Sequence, residues 1–218
     1  MLLTLILHHK VDILASIWTL EDFKNIMYII LAAVTITIAI IGFNKWKKEL
    51  RGKAYFDYSY RFLKQVYLLR DVLHDARGAM FLPAESRESG PPSEDETVRE
   101  LEHDVSVYQK RHKKVLEVGQ EFNSLIAEGE ALHGKNFRDT AQKMIKKIND
   151  YSYAIDLHLQ YRKNFILSSQ RSPMPDVWKN EVYPIVHRQE AKGKDSFGDS
   201  IDKIVEEIDS LLVRYIRK

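Results

Sequence analysis

The sequence contains no cysteine, and this absence excludes several kinds of site at once. Disulfide bonds, thiolate zinc sites, iron–sulfur clusters and cysteine nucleophiles all require a thiol. No serine lies in the Gly-x-Ser-x-Gly setting of a hydrolase nucleophile, and no carboxylate pair is marked out by its surroundings. We therefore predict a protein that is not an enzyme and holds no cofactor.

The chain also lacks a strong net charge, since the formal total at pH 7 is +2. Its positive charges are nevertheless concentrated in two short stretches, 45–53 and 110–114, and each stretch has a net charge of +4. Local patches of this kind differ from the general positive coat of a protein that binds nucleic acid nonspecifically. We therefore predict no nucleic-acid partner.

Strand signals are missing as well, because no segment of four or more residues alternates convincingly between apolar and polar residues. The apolar residues recur at helical spacing instead. We predict an all-α fold, with one N-terminal transmembrane helix followed by an antiparallel bundle of long helices.

Eighteen consecutive residues, 26–43, carry no charge and read IMYIILAAVTITIAIIGF. A helix of about 20 residues covers roughly 30 Å, the hydrocarbon thickness of a bilayer. Thr35 and Thr37 are tolerated there, since a threonine hydroxyl can bond to a carbonyl of its own helix. We predict a membrane span over 26–43. The alternative is a buried core helix of a soluble protein, although such helices seldom run this long without a polar face.

Lysine and arginine are unequally distributed around this span, with two in residues 1–25 and six in residues 44–61. By the positive-inside rule, the C-terminal side faces the cytoplasm. We therefore predict an extracytoplasmic segment over 1–25 and a basic juxtamembrane segment over 44–53. Its membrane-interface residues are Lys45, Trp46, Lys47, Lys48, Arg51 and Lys53.

The rest of the chain repeats apolar residues in steps of four and three, as in helices that pack lengthwise on one another. This pattern predicts an antiparallel bundle of long helices over 54–170, followed by a proline-interrupted connector and a C-terminal helix over 171–218. Gly134 is expected to end one bundle helix, and Asp199 to precede the last helix. The predicted buried positions are Phe62, Val66, Leu69, Leu73, Ala76 and Met80; Leu101, Val105, Tyr108, His112, Val115, Gly119, Phe122 and Ile126; Phe137, Ala141, Met144, Ile148, Tyr151, Ile155, His158, Arg162 and Phe165; and Ile201, Ile204, Ile208, Leu211 and Tyr215.

One string has the spacing of a phosphate-binding loop, with Gly129, Gly134 and Lys135 separated as in nucleotide hydrolases. Residue 136 is asparagine, however, where such a loop needs serine or threonine to hold magnesium. The string also joins two predicted helices, whereas a phosphate-binding loop joins a strand to a helix. We interpret Gly134 as a helix cap.

Two Glu-x-x-His strings, at 100–103 and 130–133, resemble the paired ligand motifs of di-iron bundles. Both lie on one predicted helix about 45 Å apart, so they cannot share a site. Asp71 and His74 on the preceding helix are the residues that can approach the first string. Because these residues flank the predicted seam, we expect them to face water and predict no metal site.

Three polar residues fall on predicted seams. His112 and His158 are expected to be satisfied by neighbouring polar groups, and Arg162 to pair with an acid. A pH-sensing role for either histidine is the alternative. The basic run 110–114 is expected to form a solvated face, because helical geometry distributes its charges around the axis.

Two stretches, WKKELRGK at 46–53 and LKQVYLLRD at 63–71, resemble a group of uncharacterised bacterial inner-membrane proteins. These proteins have one N-terminal span and a helical cytoplasmic domain, and the resemblance covers residues 26–80. Members of that group commonly continue with Arg-Asn-Pro-Phe, whereas here Arg77 is followed by GAMF. The resemblance implies a bacterial inner membrane and supplies no activity.

These features together predict a membrane-anchored cytoplasmic helical bundle that acts as an interaction or scaffold protein without enzymatic activity. Its expected partners are the lipid bilayer and either another protein or a further copy of the chain. Binding through helix faces is expected, because heptad surfaces serve equally well within a chain and between chains. The alternative is a membrane-tethered sensor or effector in bacterial signalling, stress or phage defence.

Overall fold

The structure is a computed structural model that describes residues 20–78, 96–167, 174–189 and 195–216. All regular structure within these ranges is helical, which confirms the predicted all-α fold. Residues 1–19 of the predicted extracytoplasmic segment and the predicted core residue Met80 lie outside the described residues. The helices are α1 (Leu20–Ala76), α2 (Glu96–His133), α3 (Lys135–Leu167), a π-helical turn (Trp178–Val182), α4 (Tyr183–Val186) and α5 (Ser196–Ile216).

Helix α1 is continuous over 57 residues, so the predicted span and the first predicted bundle helix are a single element. No proline lies within it. Gly42 and Gly52 each cost about 1 kcal/mol of helix stability relative to alanine, which is too little to interrupt a helix of this length. The chain as a whole divides into two compact units, Met1–Ala54 and Tyr55–Lys218.

Among the described residues, one helix is long and apolar enough to cross a membrane, and it is α1. None of its most apolar 18-residue window is buried inside the chain, in contrast to the core helix of a soluble protein. The hydroxyl groups of Thr35 and Thr37 donate to the carbonyls of Leu31 and Ala33, each at 2.8 Å. Both polar groups are therefore satisfied within the helix, as predicted.

In the second unit, the C-terminal part of α1 is antiparallel to α2. The Tyr58 hydroxyl donates to the carbonyl of Leu125 at 3.0 Å, and the Gln65 amide donates to that of Val118 at 3.2 Å. As the residue number rises on α1, that of the contacted residue falls on α2. This antiparallel pairing confirms the predicted arrangement of the first two bundle helices.

Helices α3 and α5 complete a four-helix bundle. The His112 ring on α2 lies 2.9 Å from the Ser152 hydroxyl on α3. On the other side of α1, the Tyr67 hydroxyl donates to Asp209 of α5 at 2.8 Å, and His74 lies 3.2 Å from Asp202. Each helix thus runs opposite to its neighbours, and the π-helical turn and α4 connect α3 to α5.

Aromatic side chains form the centre of the bundle core. Phe62 of α1 is fully buried, and its ring centroid lies 5.1 Å from that of Phe122 and 4.8 Å from that of Phe137. Burying a side chain of this size stabilises the folded state by about 1.5–3 kcal/mol. Three helices are therefore fixed against one another by one cluster of rings.

The α2–α3 joint has the predicted conformation. Helix α2 ends at His133, and Gly134 follows with a φ of +84°, in the left-handed region that favours glycine. Its backbone N–H donates to the carbonyl of Glu130 at 2.8 Å, which caps the helix. Helix α3 begins at the next residue.

The predicted buried positions differ from the structure on α2, α3 and α5. On α3, Arg162 and Phe165 are only half-buried, because they lie near the C-terminal end of the helix. On α2, Val105 and His112 are only half-buried, and the core instead receives Val107 together with two charged residues, Asp104 and Arg111. The charged residues are buried because each is paired: Asp104 with Arg162, and Arg111 with the carbonyl of Gly78 at 2.6 Å. Hydrophobic periodicity does not record such pairs.

The start of α5 also differs from the prediction. The helix begins at Ser196 and not after Asp199, because Asp195 supplies the cap: its Oδ1 atom accepts the backbone N–H of Gly198 at 3.1 Å. Along the helix Leu212 is fully buried, whereas Leu211 and Tyr215 are half-buried. The predicted residues Ile201, Ile204 and Ile208 are in the core.

Candidate functional site

The six predicted membrane-interface residues are all exposed on α1. The Trp46 ring is 56% exposed, and its centroid lies 5.9 Å from that of Phe43 at the end of the apolar stretch. Tryptophan and lysine are the residues that border a membrane span, where the indole ring lies at the head groups and the ammonium group reaches water. Anionic head groups would attract each of these basic residues by about 1 kcal/mol.

A second exposed surface lies on the side of α1 that faces away from the bundle core. We call Phe56, Tyr60, Tyr67 and Leu68 the outer stripe; these side chains are between 37% and 59% exposed. The rings of Phe56 and Tyr60 are stacked, with their centroids 6.5 Å apart. Large exposed apolar side chains close together on a folded domain make this stripe a candidate interaction surface.

Beside the outer stripe lies a groove between α1 and α5, which we call the α1–α5 groove. It has a volume of about 350 Å³, and its walls are mainly apolar. Leu63, Val213 and Ile216 form these walls, and Tyr60 and Tyr67 belong to both the groove and the stripe. Lys64 and Asp209 supply one positive and one negative charge to the groove.

A buried arginine joins the end of α1 to the connector and to α5. The Arg77 side chain is completely buried, and its guanidinium donates to Asp195 at 2.5 Å and to the carbonyls of Ile185 and Pro184 at 2.8 and 3.0 Å. We call these groups the Arg77 network. Hydrogen bonds from Arg77 and from the backbone of Gly198 hold the pKa of Asp195 below its usual range, although burial acts in the opposite direction.

A histidine cluster lies between α3 and the connector. The Trp178 indole N–H donates to Nδ1 of His158 at 3.2 Å, and the His158 and His187 rings lie 5.2 Å apart. Burial is the main cause that lowers the pKa of His158 to about 3, and the nearby His187 and Arg162 side chains act in the same direction. Burial and nearby arginines likewise lower the pKa of His187 to about 4. Both imidazoles are therefore neutral at physiological pH.

The neutral His158 makes the bundle sensitive to acid. Below pH 6.5, His158 is protonated in the unfolded chain but stays neutral in the folded chain. The free energy of unfolding therefore falls as the pH falls toward 3. At pH 5, protonation of His158 in the unfolded chain alone is expected to lower the free energy of unfolding by about 2 kcal/mol.

Urea unfolding at pH 7 and pH 5 measures this loss of stability. His158→Gln keeps an acceptor for Trp178 and should reduce the pH-dependent part; an equal loss in both chains would contradict this assignment.

The glycine string at 129–134 serves packing and capping. Gly134 is the α2 cap described above, and Gly129 lies against the Tyr58 hydroxyl and the Phe137 ring, where a Cβ atom would overlap both groups. The string joins two helices, as predicted, so it lacks the strand that a phosphate-binding loop requires.

The side chains considered as metal ligands form hydrogen bonds, ion pairs or ring contacts with other residues. His74 lies beside Asp202, and Glu130 pairs with Arg138 at 2.8 Å. His133 is surrounded by the rings of Tyr55, Tyr58, Phe137 and Tyr215, with centroid distances from 4.8 to 5.5 Å. Within the described ranges, no group of three or more His, Asp or Glu side chains is arranged to hold a metal ion.

The polar residues predicted on the seams have the predicted kinds of partner. His112 bonds to Ser152, His158 to Trp178, and Arg162 to Asp104. The basic run 110–114 does not form one face, since Arg111 is buried whereas Lys113 is 78% exposed and pairs with Glu117.

The sequence patterns do not predict the outer stripe, the α1–α5 groove or the Arg77 network. Phe56 and Tyr60 follow the same helical spacing as core residues, so their exposure depends on which face of α1 the other helices cover. The only available signal was the surplus of large apolar residues between 55 and 69, which is more than one helix face can bury.

Comparison with the models of known protein families, with curated proteins and with solved structures finds no match to this chain.

Proposed function

We propose that this chain is a membrane-anchored interaction protein that holds a cytoplasmic helical bundle at the bilayer and has no enzymatic activity. The observation that carries the proposal is the complete exposure of the apolar window of α1, in a chain whose other helices form a well-packed bundle. In water such a surface would aggregate, whereas a bilayer solvates it.

The charge distribution supports an orientation with the N-terminus outside and the bundle in the cytoplasm. The exposed basic residues at 45–53 lie on one side of the apolar window, and residues 1–25 contain only Lys10 and Lys24. Together with the resemblance of residues 26–80, this leads us to assign the chain to a bacterial inner membrane.

The interaction role is supported by the surfaces of the bundle. The outer stripe exposes large apolar side chains, and the α1–α5 groove beside it has mainly apolar walls. Two titratable groups with lowered pKa values hold the bundle together: His158 with Trp178, and Asp195 with Arg77. Such buried structural contacts favour binding over catalysis as the role of the bundle.

The orientation depends on the juxtamembrane charges, and their removal is expected to change it. Replacement of Lys45, Lys47, Lys48, Arg51 and Lys53 by glutamine should convert one orientation into a mixture, because the bias toward the cytoplasmic side is lost. The cysteine-free chain allows this to be measured with single cysteines at Thr4 and Tyr153 and a membrane-impermeant maleimide on intact cells.

In the chain that keeps its juxtamembrane lysines and arginine, the cysteine of Thr4→Cys should be labelled in intact cells. The cysteine of Tyr153→Cys should be labelled only after permeabilisation. A matched control replaces the exposed Lys113 and Lys114 by glutamine. These lysines lie too far along the chain from the span to determine its orientation, so the labelling should be unchanged. Release of the chain from membranes by alkaline carbonate would overturn the proposed anchor itself.

A further inference from the structure

The outer stripe and the α1–α5 groove combine a protrusion and a recess on one surface. Phe56 and Tyr60 project from α1 as a stacked pair, and the groove next to them is lined by Leu63, Val213 and Ile216. Two copies related by a two-fold axis meet through the same patch, so the patch must contain both a projecting and a receiving part. This surface meets that requirement.

The charges in the groove are also self-complementary. Lys64 and Asp209 lie in the same groove with opposite signs, and among the described residues Lys64 has no ion-pair partner. A two-fold arrangement that brought Lys64 of one copy to Asp209 of the other would form this ion pair twice. A groove suited to a basic or an acidic foreign segment would carry charges of a single sign.

Membrane anchoring favours the same occupant. Copies inserted with one orientation present their bundles on the same side of the membrane. Confinement to the membrane also raises the effective concentration of each copy for the other. A narrow stripe that would bind a second soluble copy only weakly can therefore hold two anchored copies together.

A separate observation in the first unit points to helix–helix contact within the membrane. Thr35, Ala39 and Gly42 follow one another at steps of four and three and so share a face of α1. Nothing lies within 4 Å of the position where a Cβ of Gly42 would be. Small residues on one face allow two membrane helices to pack closely against each other, whereas they offer little surface for contact with lipid tails.

We propose that a second copy of the same chain occupies the outer stripe and the α1–α5 groove, forming a parallel two-fold dimer in the membrane. The inference rests on the proposed membrane anchor and names the partner of that interaction protein.

A cysteine pair across the proposed interface tests the dimer. Asp57 is exposed between Phe56 and Tyr60, and Asp57→Cys leaves the stripe intact. In the full chain reconstituted into phosphatidylcholine and phosphatidylglycerol vesicles, mild oxidation should convert most of this variant into a disulfide-linked dimer. Asp156→Cys is the matched control, an exposed aspartate on α3, and it should remain largely monomeric.

Charge reversal then tests the predicted pair. In the Asp57→Cys background, Lys64→Asp should abolish the crosslink, and adding Asp209→Lys to it should restore the crosslink, which a folding defect would not do. Equal crosslinking of Asp57→Cys and Asp156→Cys, or absence of rescue, would overturn the dimer.

The same variant distinguishes the dimer from other partners. If Asp57→Cys in native membranes is captured by a different protein and forms no dimer in vesicles, the second copy is excluded while the membrane-anchored interaction protein stands. If the chain is not retained by membranes, the proposed function fails first.

Discussion

Replacement of Arg77 by alanine is expected to destabilise the folded chain by about 3–5 kcal/mol, the range observed when one partner of a buried ion pair is removed. Asp195 would keep its carboxylate in a largely buried position without its cation, and the carbonyls of Pro184 and Ile185 would lose their donor. The Phe197 ring would also lose the guanidinium that lies 4.9 Å from its centroid.

Urea unfolding of the full chain in detergent, followed by far-ultraviolet circular dichroism, measures this loss. Arg70→Ala is the control, because Arg70 pairs with the adjacent and exposed Asp71 and otherwise lies over the Tyr67 ring, 5.4 Å from its centroid. An exposed pair of this kind contributes at most about 1 kcal/mol. Similar unfolding midpoints for the two variants would show that the Arg77 network does not hold the connector and α5 in place.

Gly129→Ala is expected to destabilise the bundle by about 3 kcal/mol, at the upper end of the range for overpacked cores. The added methyl group would overlap the Tyr58 hydroxyl and the Phe137 ring, both of which belong to fully enclosed side chains. In an exposed helix the same substitution would stabilise by about 1 kcal/mol, so the sign of the change reports the packing.

Gly119→Ala is the matched control on the same helix. There the new Cβ would meet only the flexible end of Ile148, whose Cδ1 lies 2.9 Å away, and a small rotation of that side chain relieves the contact. We expect a change within about 1 kcal/mol of zero. A destabilisation of Gly129→Ala no greater than that of Gly119→Ala would contradict the close packing of α1 against α2 and α3.

Much of the fold follows from apolar spacing and from glycine. The steps of four and three identify the core residues Phe62, Val66 and Leu69, because a helix places such positions on one face. Gly134 marks the end of α2, since only glycine adopts a φ of +84° without strain. The apolar window of α1 is equally visible, because its length matches a bilayer.

The features that escaped prediction depend on partners distant in sequence. Arg77 contacts a carboxylate 118 positions away, and a charged residue is expected at the surface until such a partner is known. The sequence predicts that α5 starts after Asp199, whereas Asp195 acts as the cap, and its carboxylate also accepts from Arg77.

The sequence predicts that the chain binds through helix faces, but it does not identify the residues of the candidate interaction surface. Heptad spacing indicates that some helix faces bind other helices, but it does not separate faces used within the chain from faces left open. Tyr58 and Tyr60 illustrate the difficulty, since they lie two positions apart with 1% and 59% exposure. Only the positions of α2, α3 and α5 around α1 decide which tyrosine is covered.

The single residue between α2 and α3 bears on the order in which the chain acquires its structure. Contacts such as that between His112 and Ser152 bridge 40 positions, whereas the Arg77–Asp195 pair must close a loop of 118. Local contacts form sooner than distant ones. During synthesis the α2–α3 hairpin can therefore assemble while α5 is still inside the ribosome. Until α5 emerges, the part of α1 that packs against α5, around Tyr67 and His74, stays open to chaperones and proteases.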